Sequence, residues 1–390
     1  LVNMTSQGNY KHLENNCILC GKCLEVCPLF QATNKEQLSP RGKAFLLQEL
    51  AHQGEELKEK DVRKLAAICL GCHRCVEVCP QKVNLPVVLN EIKAEVPGWK
   101  SWLWGKLIEE APRIFPLLSQ AGKIIPEINP AARGNKLSFF SRQEEIKPWL
   151  MLEAFDTCAQ EQKVVIFPGC TARFAKRNWL ESAAALLRGT GYKLLQTPDW
   201  CCCGFTLGSA GLRTEQLQMQ TENLRLWRAL GRPQVAVFCA TCLLGLKEMT
   251  ASDLGWEEGE KEVWQDAIQE LGGMLGKPDF TTIEENVPQR VTLHKPCHAE
   301  NKILDWMQRL LSFSQVEYKN STACCGLGGC MQIENQRLCS QVAGSFWKVE
   351  EDFRPQQVIT ACSGCALQLA ATHPANVQVG HWLELIGNVQ

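Results

Sequence analysis

The residues in this sequence with the greatest capacity for chemistry are its cysteines, 22 in 390 residues. Eight of them form two nearly identical runs. The first is Cys17-x-x-Cys20-x-x-Cys23-x-x-x-Cys27-Pro28, the second Cys69-x-x-Cys72-x-x-Cys75-x-x-x-Cys79-Pro80. Thiolates are soft ligands suited to iron–sulfur clusters. This spacing, closed by a proline, is that of proteins holding two [4Fe-4S] clusters. Three cysteines at spacing three wrap one corner of a cube, and the fourth serves the other cluster. The ligand sets are therefore expected to cross. One cubane takes Cys17, Cys20, Cys23 and Cys79, and the other takes Cys69, Cys72, Cys75 and Cys27. The rival reading is a pair of structural zinc sites, but these use four ligands in two pairs rather than such a ladder. Disulfides fit less well. Two cysteines three apart are hard to bridge, and disulfide-dense proteins are mostly small secreted domains.

Between the runs lies Ser39-Pro40-Arg41-Gly42-Lys43, followed by an apolar pattern of helical period from Ala44 to Leu50. Arg41 either offsets the negative charge of a cluster, as a cofactor-binding residue, or simply starts a surface helix. Both readings stand at this level.

From Lys163 onward the sequence says one thing twice. Each copy opens with an apolar run, Val164-Val165-Ile166-Phe167 or Val291-Thr292-Leu293-His294, and a cysteine beyond it, Cys170 or Cys297. A helical pattern follows, then a triplet, Cys202-Cys203-Gly204 or Cys324-Cys325-Gly326. A second apolar run, Val235–Phe238 or Val358–Ala361, ends in a C-x-x-C pair, Cys239 with Cys242 or Cys362 with Cys365. The step from Cys203 to Cys239 is 36 residues, and from Cys325 to Cys362 it is 37. Alternating strand and helix predicts a small α/β unit with a parallel sheet in each copy. The cysteines then fall beyond strand carboxyl ends, where such sheets bind ligands, and five thiolates converge per copy. Gly204 and Gly326 suit a close approach of backbone to a cluster. Cys158, Cys201, Cys330 and Cys339 are left over. Cys158 and Cys339 read as small buried hydrophobes, and Cys201 and Cys330 as adventitious or alternative ligands.

Residues 96–162 carry no ligand pattern. Pro97, Pro112, Pro116, Pro126, Pro130 and Pro148 are expected to divide this stretch into short helices. Trp99, Trp102, Leu103, Leu107 and Ile108 fall near one helical face beside Lys100 and Lys106. That face suits packing within the chain, a partner subunit or a membrane interface. His73, His294 and His298 lie in or beside ligand motifs, where hydrogen-bonding or surface roles are expected rather than iron ligation.

The bulk composition bounds the rest. Hydrophobic residues make up 45% and charged residues 21%, enough for two or three domains each to bury a core. The net charge of −1 gives no argument for nucleic acid. No apolar run reaches eighteen residues, so no membrane span is expected, and the start does not read as a signal peptide. No dinucleotide fingerprint follows a strand, and Gly326-Leu327-Gly328-Gly329 is short and embedded in a ligand motif. Flavin or nicotinamide chemistry is therefore expected on a partner.

These motifs resemble the CCG-domain family of iron–sulfur proteins, found in heterodisulfide reductase subunits and related oxidoreductases. The plan of a ferredoxin pair followed by two CCG domains covers nearly the whole chain. Within that family the chain is most similar to the iron–sulfur subunits of glycolate oxidase and of D-lactate dehydrogenases. The similarity rests on Ser39-Pro40-Arg41-Gly42, His294-x-Pro296-Cys297 and His381-Trp382-Leu383-Glu384-Leu385. The iron–sulfur subunit of anaerobic glycerol-3-phosphate dehydrogenase is similar in plan.

The resemblance implies an α+β and α/β protein. A mostly helical two-cluster ferredoxin-like domain spans 1–95, a Trp/Pro-rich helical connector 96–162, and CCG domains 163–285 and 286–390. It implies two further ligand sets, Cys170, Cys202, Cys203, Cys239 and Cys242, and Cys297, Cys324, Cys325, Cys362 and Cys365. These would hold one or two more [4Fe-4S] clusters, cubane or non-cubane. It implies an electron relay from an FAD-containing 2-hydroxy-acid dehydrogenase subunit to an electron-transfer flavoprotein or quinone-linked acceptor. The location implied is cytoplasmic, with peripheral association at the inner face of the membrane compatible. One feature departs from the glycolate-oxidase pattern. Cys239 and Cys362 are kept where those subunits typically lack a cysteine, as in the heterodisulfide reductase catalytic subunit. Disulfide reduction at the CCG sites is therefore the second expectation. A redox sensor is a third, which two chained cubanes disfavour.

Overall fold

The computed structural model describes residues 17–53, 59–96, 98–128, 145–155, 162–374 and 376–387. The chain forms two compact units. The first comprises Leu1–Lys106, Thr206–Arg213 and Gly326–Phe346, and the second Leu107–Phe205, Thr214–Cys325 and Trp347–Gln390.

The first unit is helical. Each cysteine run passes through two left-handed residues into a short helix. Leu19 and Gly21 precede Lys22–Val26, and Gly71 and His73 precede Arg74–Glu77. These residues sit at the same offsets from Cys17 and Cys69, so the backbone repeats as the sequence does. Behind the second run, Leu85, Leu89 and Ile92 line one face of the helix Leu85–Glu95. They pack with Leu47 of Pro40–Gln53 and with Val62 and Ala66 of Glu59–Ala67. The helix Pro40–Gln53 starts where Ser39 Oγ accepts the Gly42 N–H at 3.0 Å. A Cβ on Gly42 would overlap the Glu36 carbonyl, so only glycine fits that turn.

The second unit contains the strands. They are β1 (Leu150–Phe155), β2 (Lys163–Phe167), β3 (Lys193–Leu194), β4 (Gln234–Val237), β5 (Ile268–Glu270), β6 (Pro278–Thr282), β7 (Arg290–His294), β8 (Glu317–Ser321), β9 (Gln357–Thr360) and β10 (Gln378–His381). β1 and β6 pair antiparallel with a bulge at Leu152/Ala154. The others form two parallel sheets, ordered β3-β2-β4-β5 and β8-β7-β9-β10. In both, the order within the repeat is second, first, third, fourth. The predicted repeat is therefore a repeat of topology, and the expected mixture of a helical unit and two small parallel sheets is what the chain forms. The cores of β2, β4, β7 and β9 are buried almost end to end, as for parallel strands covered on both faces. Strand order reverses between β2 and β4 and between β7 and β9, the positions where open parallel sheets bind ligands.

The two repeats are tied together. Ala240 N–H donates to the Ala361 carbonyl at 2.9 Å. Trp179 Nε1 donates to Glu384 Oε1 at 3.0 Å.

One expectation is corrected. Pro112, Pro116 and Pro126 do not chop their segment into short helices, because a single helix runs Ala111–Ile128. Pro112 sits in the first turn, where its missing N–H would be unpaired anyway. Pro116 and Pro126 each forfeit one backbone bond, and the helix packs on Gly169–Phe174, which offsets the loss. Pro97 and Pro130 lie outside the described residues. In the preceding helix, Trp99–Glu109, Ile108 is buried whereas Trp99, Trp102 and Leu103 are exposed. No helix among the described residues is long and apolar enough to cross a membrane.

Candidate iron–sulfur centres

In the first unit, Cys27 lines one cavity with Cys69, Cys72 and Cys75, together with Leu29, Lys43, His73, Leu85 and Leu89. Cys79 lines a second with Cys17, Cys20 and Cys23, together with Arg41 and Pro80. The fourth cysteine of each run thus stands with the first three of the other. Pro28 contributes by starting the helix Pro28–Thr33, which leaves Cys27 extended at its cap. Backbone N–H groups point at sulfur. Gly71 donates to Cys69 Sγ at 3.5 Å and Val83 to Cys79 Sγ at 3.4 Å, and such bonds help set cluster potentials.

The donor set fits a [4Fe-4S] cluster. Each cavity has four thiols, and among the described residues no three Cys, His, Asp or Glu close on a single metal ion, as a zinc site would require. Burial pushes the Cys75 thiol up to about 12, with Cys69, Cys27 and Cys23 adding to the rise. A soft cation must therefore displace protons to bind there.

Besides the exposed Lys22, two cations line these cavities, and they differ in their company. Arg41 is ion-paired with Glu36 at 2.6 Å. Lys43 is buried, and its ammonium donates to the carbonyls of Leu38, at 2.8 Å, and Ile68.

In the second unit all ten repeat cysteines lie beyond strand carboxyl ends. Cys170 follows β2 and Cys297 follows β7. The pairs Cys202-Cys203 and Cys324-Cys325 follow β3 and β8. Cys239 and Cys362 follow β4 and β9 and cap the helices Ala240–Lys247 and Ser363–Ala370, which carry Cys242 and Cys365. The thiols of Cys202, Cys203, Cys242, Cys239, Cys362, Cys365 and Cys325 neighbour one another in that order, close enough to influence each other's protonation. The line of sulfur is therefore continuous from one repeat into the other. Neighbouring thiols donating to Cys203 and Cys239 hold these two well below the usual thiol range. Burial pushes Cys170 up to about 12.

Small residues make room for this sulfur. A Cβ on Gly169 (φ +68°) would lie 2.9 Å from Cys242 Sγ, and one on Gly245 3.1 Å from Cys203 Sγ. Gly204 and Gly326 also pack closely against helices. Each has φ +82°. A Cβ on Gly204 would meet Gln216, and one on Gly326 would lie 2.5 Å from the Cys339 carbonyl oxygen. They allow close packing on a helix, and the Gly204 N–H donates to the Cys202 sulfur.

Polar side chains hold the loops. His294 is buried, its Nε2 donating to the Ala323 carbonyl at 3.0 Å and its Nδ1 accepting from Thr360 Oγ1 at 2.9 Å. His381 Nε2 donates to the carbonyl of Phe238, next to Cys239, at 3.1 Å, and its Nδ1 accepts from Leu383 N–H at 3.3 Å. Burial pulls His381 down to about 4, which keeps it neutral. Across the junction of the repeats, Cys239 Sγ lies 3.2 Å from Ser363 Oγ and Cys362 Sγ 3.3 Å from Thr241 Oγ1. Thr241 also contacts His298 Nδ1 at 3.4 Å. Sequence reasoning missed Thr241, Ser363 and Lys43. For the first two, the positions beside Cys242 and Cys362 were the available signal. Cys339 is fully buried. Cys330 is buried in the first unit, its Sγ 4.0 Å from the Lys100 carbonyl oxygen, and Cys201 is half-exposed. Cys158 lies outside the described residues.

Comparison with known families agrees with this geometry. A 4Fe-4S dicluster domain matches residues 14–83, and the CCG cysteine-rich domain matches 164–247 and 291–370. The chain is a CCG-domain iron–sulfur protein. It is similar to the glycolate oxidase iron-sulfur subunit of Escherichia coli (strain K12), at 23% identity over 95% of this chain and 92% of that one. The probable glycolate oxidase iron-sulfur subunit of Bacillus subtilis (strain 168) is also 23% identical, over 94% and 93%. A subunit of the dihydromethanophenazine:CoB–CoM heterodisulfide reductase of Methanosarcina mazei is 25% identical, over 85% and 82%. These relatives are oxidoreductase subunits.

Proposed function

We propose that this chain is the electron-transfer subunit of a flavin-linked 2-hydroxy-acid dehydrogenase acting on D-lactate or glycolate. The observation that carries this reading is the pair of crossed four-cysteine cavities. Two clusters in one small helical unit suit the passage of single electrons rather than the binding of an organic substrate. Cys17, Cys20, Cys23 and Cys79 hold one cluster, with Arg41 beside it, and Cys27, Cys69, Cys72 and Cys75 hold the other. Each CCG set of five holds a further [4Fe-4S] cluster. When bound, these groups supply one-electron transfer at potentials set by charge and hydrogen bonding. The chain's own residues exclude water with Leu29, Leu85 and Leu89, direct N–H groups at sulfur, and position the CCG loops through His294 and His381. Oxidation of a hydroxy acid removes two electrons and requires a cofactor such as FAD, which a partner subunit carries. The acceptor is quinone or an electron-transfer flavoprotein, and the complex works in the cytoplasm or at the inner face of the membrane. The domains follow the limits 1–95, 96–162, 163–285 and 286–390. The similarity to glycolate oxidase subunits supports the choice of substrate class.

Anaerobic co-purification tests this. The expected result is an FAD-bearing partner and bleaching of the clusters on addition of D-lactate or glycolate. Disulfide turnover by the isolated chain, without any flavoprotein, would overturn it. That outcome belongs to a second reading, reduction of a disulfide at the CCG sites. It is favoured by the unbroken sulfur line through Cys239 and Cys362 and by the similarity to the heterodisulfide reductase subunit.

A further inference from the structure

We infer that Lys43 is the built-in counter-charge of the cluster held by Cys27, Cys69, Cys72 and Cys75, and that it makes this cluster the more easily reduced of the two in its unit. The inference rests on the reading that those four cysteines hold a cluster.

Lys43 is 2% exposed and lines the same cavity as the four thiols. Its two hydrogen-bond acceptors, the carbonyls of Leu38 and Ile68, are neutral. No carboxylate among the described residues lies within ion-pair distance of it. Buried charges are normally paired, and an ammonium left alone in the interior costs several kcal/mol. Burial works against the charge on Lys43 and lowers its pKa, and the groups that favour the charge are Cys69, Cys27, Cys75 and Cys72, the four thiols of this one cavity. The Ile68 carbonyl also ties the ammonium to the residue just before Cys69.

The other cavity is served differently. Arg41 and Lys22 line it, but the Arg41 guanidinium is already paired with Glu36 and Lys22 is exposed to water, which screens its charge. Arg41 and Lys43 stand two residues apart at the start of the helix Pro40–Gln53, so the turn at Ser39–Gly42 sends one cation to each cavity. Of these two, Lys43 lacks a carboxylate partner among the described residues. A second buried ammonium, Lys93, donates to the Ser209 carbonyl. The charge that most favours it is that of Cys69, again on the Lys43 side. Reduction adds an electron to a cluster, and a nearby unpaired cation in a low-dielectric site stabilises that added charge. Electrons in this unit are therefore drawn toward the cavity of Cys27, Cys69, Cys72 and Cys75.

The test is an EPR-monitored redox titration of the full chain with Lys43→Gln and Lys43→Arg. The two signals are assigned by their loss in Cys79→Ala and Cys75→Ala. In Lys43→Gln the reduction equilibrium of the cluster assigned to Cys75 should fall at least tenfold, about 59 mV for one electron. The other cluster should keep its potential, and Lys43→Arg should stay near the wild type. Loss of this cluster in Lys43→Gln with retention in Lys43→Arg would also support a requirement for the charge. Three outcomes would overturn the inference: an unchanged midpoint in Lys43→Gln, an equal shift of both clusters, or loss of iron in both variants, which would mark a packing role. Unchanged iron content in Cys75→Ala would instead remove the cluster reading itself.

Discussion

Cys79 shows how far single residues can be read. The spacing before Pro80 assigned it to the partner cluster, and the structure places it with Cys17, Cys20 and Cys23. Cys79→Ala is expected to remove about four irons and the signal of that cluster, while the signal of the other persists. Loss of the Cys69/Cys72/Cys75 signal alone would contradict the crossed scheme. Glu270, at the end of β5, offers a pH test away from sulfur. Its Oε2 is buried without a hydrogen-bond partner, and burial, with Glu300 nearby, pushes its carboxyl up to about 7. The folded chain therefore holds this proton while the unfolded chain releases it near 4.5. Stability is full below that point and falls as pH rises through 7, by on the order of 3 kcal/mol. Glu270→Gln is expected to raise the Tm at pH 8 and leave it nearly unchanged at pH 4. An equal effect at both pH values would rule out the ionisation.

At the scale of elements, the parallel sheets were legible because their strands are short, apolar and repeated at matching distances. The uninterrupted helix Ala111–Ile128 was not, since local proline signals say nothing of the packing that offsets the two lost bonds. The glycines after the Cys-Cys pairs were legible as special positions but not as helix contacts. The partners of Gly326 lie on the helix Gln336–Glu350, distant in sequence. Gly326→Ala would drive a methyl against the Cys339 carbonyl at positive φ and should cost about 3 kcal/mol. On the same helix, Gly344 has nothing within 4 Å of an added Cβ. Gly344→Ala should stabilise by about 0.5–1 kcal/mol. Thermal unfolding of the two variants checks the contrast, and similar Tm values would refute it.

In the molecule as a whole, the repeated halves share one continuous sulfur line rather than standing as two isolated sites. Cys239 and Cys362 are in contact although they belong to different repeats. In chain prepared without iron, ferricyanide should take two electrons from this pair and link the repeats, with loss of two protons. Mass spectrometry of a proteolytic digest would show the Cys239–Cys362 peptide. Links confined within each repeat would argue against the junction. Chain connectivity also runs against the simple order of domains. Thr206–Arg213 and Gly326–Phe346, which follow the two Cys-Cys pairs, belong to the first unit.

The sequence alone determined the cysteine ladders, the pairing of each fourth cysteine with the other run, and the doubled strand–helix pattern. These follow from short-range spacing and local backbone preference. Tertiary structure alone decided that Arg41 has a carboxylate whereas Lys43 has none among the described residues, that His381 holds the strand end before Cys239, and that the two CCG sets meet. Each of these depends on which groups become neighbours once water is excluded, and spacing along the chain carries no record of that.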